Sequence, residues 1–299
     1  MNLRSSTALS VATVIAAVIL SAGPSIAQTG RPIVPPVDSA SLAHVLDSLI
    51  VPGLEKYHIP GMVVAIVHDS EIVLAKGYGY ADVERKILFD PDSTVVRIAS
   101  VSKIFTGTAV LQLVERGVLD MHQDINTYLT RFKVENWPGR AITLHHLLTH
   151  TAGFDDRSIG KSAWTQESQI PLGDYLATRT PRRICPPGEV YTYSNFSNAL
   201  AGFVVEEVAH EDYAAYVRHN ILEPLEMEKS DYRLRPDLQP LLAECYSRAG
   251  MGYRHNPFDF INDYPGGQML STGRDMAKFR SLTSNLDAMQ VRGYLAMKT

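Results

Sequence analysis

The apolar positions of this chain keep a helical rhythm first and a strand rhythm next. In SLAHVLDSLIVPGLEKYH, Leu42, Val45, Leu46, Leu49 and Ile50 recur at helical spacing and predict an amphipathic helix starting near Ser39. The run GMVVAIVHDSEIVLAKGYGYAD that follows is rich in β-branched and aromatic residues and breaks at His68 to Ser70. It reads as two strands of an antiparallel hairpin. A short β-branched run, STVVRIA, leads to Ser100. Beyond it, KIFTGTAVLQLVERG keeps Ile104, Leu111 and Val114 near one face and stops at Gly117, a residue suited to the position just past a helix end. A helix is therefore expected to begin at or just before Ser100.

From about residue 120 to 235 the pattern is mainly helical, with TLHHLLTH, PLGDYLATR, NALAGFVVEEVAH and DYAAYVRHNIL as its clearest pieces. Between 240 and 262 it dissolves into aromatics and loops. GGQMLSTGRDMAKFRSL then gives a Gly-Gly turn, a short apolar run and a helix whose expected cap is Ser271 or Thr272.

The N-terminus is of another kind. Arg4 supplies a positive region, ALSVATVIAAVIL an apolar core, and SIA ending at Ala27 a small-residue cleavage site, so residues 1–27 are expected to be a signal peptide. The apolar run is short for a membrane span of about 20 residues, so membrane contact is expected only in transit. The mature protein would start at Gln28, be periplasmic or secreted, and reach its fold through a Pro-rich tether over 28–38.

Composition narrows the function classes. At 45% hydrophobic and 20% charged, the 299 residues suit a globular protein with a large core. A net charge of −4 with scattered Lys and Arg offers no basic field for a phosphate backbone, so nucleic acid is not an expected partner. Cys185 and Cys245 could pair after export or be two unrelated small buried residues. Neither has a second ligand at metal spacing. His146 and His150 are four apart on an expected helix, but the Glu of a zinc-protease helix is absent, and no metal or organic cofactor is expected.

Other matches also fail. The GKS at 160–162 has Asp155 where a phosphate-binding loop needs its first glycine, GYG at 77–79 lacks a third glycine, and no G-x-S-x-G occurs. What remains is S-x-x-K at Ser100 and Lys103. Residues three apart on a helix are neighbours, so the amine can reach the hydroxyl, and a serine becomes a nucleophile only when a base takes its proton. Free N–H groups of the first turn can also stabilise negative charge developing on a substrate oxygen. The competing reading is an N-capping serine beside a solvated lysine. Ninety-three residues on, Tyr193-Ser194-Asn195 forms a Y-x-N just before another expected helix. The phenol can act as or share the role of base, and the Asn amide can orient the lysine and a substrate carbonyl. On the competing reading Tyr193 is a packed aromatic and Asn195 an N-cap. Tyr191 offers the same phenol but has no Asn two residues later.

Taken together, VRIASVSKIFTGTAVLQLVERGVLDM, ITLHHLLTHTAGF, PPGEVYTYSNFSNALAG, ILEPLEM and YPGGQMLSTGRDMAKF, in this order, resemble the serine β-lactamase and penicillin-binding-protein-like hydrolases. Within them the likeness is to the group of class C β-lactamases, D-aminopeptidases and family VIII esterases. The resemblance implies an α+β fold of the β-lactamase/transpeptidase type over 39–299. In it, 39–99 and about 260–299 form an antiparallel sheet flanked by helices, and about 100–259 form a mainly helical part. It implies Ser100 as the acylated nucleophile, Lys103 and Tyr193 as the proton-transfer pair, Asn195 as a substrate-binding residue, and a small-molecule or peptide substrate with an amide, β-lactam or ester carbonyl. LLTHTAGF and PGGQMLST are expected to be scaffold, with Gly266 and Gly267 serving backbone conformation.

The resemblance also implies a third motif, K-T-G or H-T-G, on a sheet strand lining the site. The chain ends YLAMKT, about thirty residues past PGGQML, where further strands usually intervene. Lys298 and Thr299 are therefore expected to end a helix. The later strands and closing C-terminal helix are expected to be absent. The alternative function is then a catalytically inactive chain that binds peptide or peptidoglycan, or has no function.

Overall fold

Asp38 opens the fold by capping its first helix, its carboxylate accepting the N–H groups of Ala40 and Ser41 at 3.1 Å. The computed structural model describes residues 38–156 and 159–284. The expected signal peptide, the tether through residue 37, and residues 285–299 with Lys298 and Thr299 lie outside the described residues.

In chain order the elements are α1 (Ser39–Tyr57), β1 (Gly61–His68), β2 (Glu71–Asp82), β3 (Ile87–Leu88), β4 (Val96–Arg97), α2 (Lys103–Glu115) and α3 (Leu144–Leu148). There follow β5 (Ser162–Ala163), α4 (Leu172–Arg179), α5 (Asn195–Ala209) and α6 (Tyr213–Val217). The last are β6 (Cys245–Ala249), β7 (Gly252–Asn256), β8 (Phe260–Ile261), β9 (Leu270–Ser271) and α7 (Gly273–Ser284). Helices flanking antiparallel strands, with a mainly helical middle, make the α+β fold that the sequence implies.

The hairpin turns where expected. Asp69 and Ser70 both take positive φ, 46° and 68°, the backbone that a tight two-residue hairpin turn demands. β1 pairs antiparallel with β2, and β2 with β3. Among the described residues β1 has no partner on its outer edge. α1 packs on β2, and α7 packs on β1 and β2. Of the two expected caps it is Thr272 that serves α7, its hydroxyl accepting the Asp275 N–H at 3.1 Å.

α1 departs from its predicted face. Leu42, Leu46 and Ile50 are half-buried, whereas Val45 and Leu49 are 53% and 67% exposed. The helix meets the sheet along the narrow i, i+4 row, where Asp47 accepts from Lys76 Nζ at 2.7 Å and Tyr78 Oη at 2.9 Å. The 240–262 stretch also differs from expectation, because β6 and β7 form a hairpin there. Its strands are polar, with Ser247, Arg248, Arg254 and His255 among their residues, so no apolar alternation announces them.

The main core belongs to the helical part. α5 is buried from Phe196 to Val205 and packs against α2, α3, α4 and α6. Phe105, Val110, Leu147, Phe154, Phe203 and Tyr213 close around it. This core fixes the start of α5 against the start of α2.

Candidate active site

Ser100 lies in a single 3₁₀ turn, Ala99–Ser102, and the α-helix proper begins only at Lys103. The turn is strained and clamped. Ala99 holds φ +48°, unusual for a residue with a Cβ. The buried Ser102 hydroxyl donates to Ala99 O at 2.5 Å and accepts the Met269 N–H at 3.1 Å, while Ile98 N–H donates to Met269 O at 2.9 Å. A 3₁₀ turn has three residues per revolution, so positions three apart eclipse each other. Lys103 Nζ consequently lies 3.1 Å from Ser100 Oγ.

The four residues singled out in the sequence meet here. Ser100 Oγ and Tyr193 Oη are 2.7 Å apart, and Lys103 Nζ sits 5.0 Å from the centre of the Tyr193 ring. Lys103 Nζ also donates to Asn195 Oδ1 at 2.7 Å and to Gly266 O. An ammonium has three donors, and here Ser100, Asn195 and Gly266 take one each. Ser100 is exposed, and Lys103 and Asn195 are half-buried. The Ser100 hydroxyl faces solvent while the Lys103 amine is held behind it.

Asn195 is not the N-cap of α5. Ser194 is, its hydroxyl accepting the Ser197 N–H at 3.2 Å, and Asn195 is the first helical residue. Its amide is thus free for the lysine. Behind it stands Asp156, with Oδ2 3.4 Å from Asn195 Nδ2 and Oδ1 3.2 Å from Lys161 Nζ. Lys161 also lies 3.6 Å from Asp263, whose carboxyl is pushed up by burial.

Gly266 and Gly267 do not serve a left-handed backbone, as neither has positive φ. What matters at Gly266 is its carbonyl, and the Pro265–Gly266 segment rests on buried hydroxyls. Thr106 Oγ1 is 2.7 Å from Tyr213 Oη and 3.4 Å from Pro265 O; Tyr213 Oη is 3.1 Å from Tyr232 Oη, which donates to Ser102 O at 2.8 Å.

α3 ends at Leu148, so His146 and His150 do not share a helix face. His146 Nδ1 lies 3.1 Å from Thr143 Oγ1 in a capping box. His150, at φ 56°, instead turns to Tyr193, with ring centres 4.5 Å apart. Tyr191 is 66% exposed and meets His150 edge-on. Cys185 and Cys245 are free thiols. A cleft of about 460 Å³ beside Arg85, Leu242, Cys245 and Phe258 contains none of the four site residues.

The sequence profile of the beta-lactamase family matches residues 46–297. Protein flp of Staphylococcus aureus strain MRSA252 is 32% identical over 240 residues, which cover 77% of this chain and 46% of that protein. The octameric penicillin-binding protein homologue from Pyrococcus abyssi superposes with a TM-score of 0.69 at 29% identity, over 80% of this chain and 56% of that one. EstCE1, described as a hydrolase with promiscuous acyltransferase activity, shares the fold with a TM-score of 0.70 at 21% identity, over 81% of this chain and 72% of that one. The chain spans about half the length of flp and of the Pyrococcus homologue. With a family match across most of its length and a fold shared with these proteins, the chain belongs to the serine β-lactamase and penicillin-binding-protein-like family.

Proposed function

We propose that this chain is an exported serine hydrolase that opens an amide, β-lactam or ester carbonyl through an acyl-enzyme. The observation that carries this reading is the contact of one exposed hydroxyl, Ser100 Oγ, with both an amine and a phenol, Lys103 Nζ and Tyr193 Oη. Ser100 Oγ attacks the carbonyl carbon as its proton passes to the Lys103–Tyr193 pair. The tetrahedral oxyanion collapses, the leaving group takes that proton, and Ser100 keeps the acyl group as an ester. Water, deprotonated by the same pair, then attacks the ester and frees the acid and Ser100. Asn195 holds the lysine and is placed to donate its amide to a substrate.

The test is intact-mass measurement after incubation with an activated ester or a penicillin. An adduct at Ser100 that vanishes in Ser100→Ala is expected; a labelled S100A protein would sink the assignment. A second reading is favoured by the outer edge of β1, which has no partner among the described residues. The strand on which the resemblance places a K-T-G or H-T-G donor is not among the described residues. On that reading the chain binds peptide or peptidoglycan without turnover, and folded protein gives no adduct.

A further inference from the structure

We infer that His150 is a positioning residue for Tyr193: its carbonyl and its neutral ring hold the backbone on the two sides of the phenol, and protonation of the ring releases the Ser194 side of that hold. This rests on the hydrolase reading above.

Three contacts converge on one residue. The His150 carbonyl accepts the Thr192 N–H at 2.8 Å, and its Nδ1 accepts the Ser194 N–H at 3.2 Å. Its ring lies against the Tyr193 ring, with centres 4.5 Å apart and planes inclined at 36°. Both N–H groups flanking Tyr193 are thus satisfied by a single histidine, and the phenol is directed from that base toward Ser100. The left-handed backbone at His150 turns its ring out of the α3 direction and onto this segment.

An Nδ1 that accepts a hydrogen bond carries no proton, so the neutral ring bears its proton on Nε2. Protonation would turn an N–H of the ring against the Ser194 N–H and add a cation facing Lys103 of α2. The other groups around the ring are Asp156 in the loop after α3, and Tyr191 and Tyr193 before α5. Burial and the Lys103 charge hold the imidazole below its usual range, and they outweigh the opposing contributions of the Ser194 contact and Asp156. The bond from the Ser194 N–H to the ring is therefore intact at neutral pH and lost as pH falls through the lowered value, while the carbonyl's bond to Thr192 remains.

The variant His150→Asn keeps an acceptor for Ser194, suits a left-handed backbone and cannot titrate. Acylation by an activated ester is followed from pH 8 downward in the wild type and in H150N. Below the His150 titration, the ratio of wild-type to H150N rate is expected to fall by about tenfold for each pH unit, as one added protonation requires. A ratio constant with pH overturns the proposal. Absence of any wild-type adduct strikes the hydrolase reading instead, so a second measurement addresses the clamp without activity. In the ¹⁵N-histidine spectrum of the full chain, the signal missing from H150N is assigned to His150. It is expected to report an Nε2-protonated ring titrating below the ordinary imidazole range. An imidazolium at pH 7, or a proton on Nδ1, overturns the assignment.

Discussion

Ser100 Oγ meets Tyr193 Oη at 2.7 Å, a contact between the turn that opens into α2 and the loop that opens into α5, brought together by the buried length of α5. Replacing Tyr193 by Phe keeps the ring that faces Lys103 and His150 and removes only the hydroxyl. We expect Tyr193→Phe to slow acylation by about 10²- to 10⁴-fold, the usual weight of a general acid–base group. Burst kinetics with an activated ester measure this. A rate within about threefold of wild type would show that the phenol takes no part in proton transfer.

Gly153 stands at φ +79°, and a Cβ there would come within 2.1 Å of Cys185 O. Its carbonyl accepts the Ile184 N–H at 2.9 Å, tying the loop after α3 to the segment that leads to Tyr193. Gly153→Ala should cost about 2–4 kcal/mol through left-handed strain and backbone clash. Urea midpoints check this, and an unchanged midpoint would contradict the close approach.

Glu207 on α5 is almost wholly buried, and it accepts bonds from the Thr130 N–H at 2.6 Å and Arg131 Nε at 2.8 Å. Burial alone would raise its carboxyl, yet the bonds from Thr130 and Arg131 outweigh it and hold the group below the ordinary glutamate range. A carboxylate depressed in the folded state stabilises the fold above its unfolded value and ceases to do so as pH falls through the folded one. At pH 7, Glu207→Gln is expected to be less stable by about 1–3 kcal/mol, a figure kept low because Arg131 is partly exposed. The gap should close as pH drops below the unfolded glutamate value of about 4.3. Denaturation at pH 7 and in acid tests the sign, and a gap that widens in acid would refute it.

Export predicts a processed N-terminus. Expressed with a functional secretion pathway, the chain should be recovered outside the cytoplasm starting at Gln28. Terminal sequencing that finds Met1 in the membrane fraction would refute cleavage and favour an anchored form.

The site was legible in the sequence where its chemistry resides in side chains. Ser100, Lys103, Tyr193 and Asn195 carry distinctive groups at short spacings, and α2 and α5 follow from apolar periodicity. The Gly266 carbonyl gave no signal, because every residue type has one and only the fold aims it at Lys103. His150 was read with His146 as a helical pair, and its role emerged only when α3 ended two residues before it. Asp156 drew no notice because its link to Asn195 spans 39 residues. In α1, the periodicity was right but Val45 and Leu49, two of its five predicted apolar positions, lie open, since a helix shows its pattern without showing how much of it a neighbour covers.

The hydroxyl ladder of Thr106, Tyr213 and Tyr232 lies beneath the lysine and supports it through Pro265 and Gly266. The support beneath Lys103 thus lies in the core, whereas Val190 and Tyr191, which precede Tyr193, are open to solvent. On the proposed mechanism, such a division lets surface substitutions near Tyr193 alter what reaches Ser100 without disturbing the support beneath Lys103. On the same mechanism, substitutions at the buried Tyr213 and Tyr232 would disturb Lys103 from below.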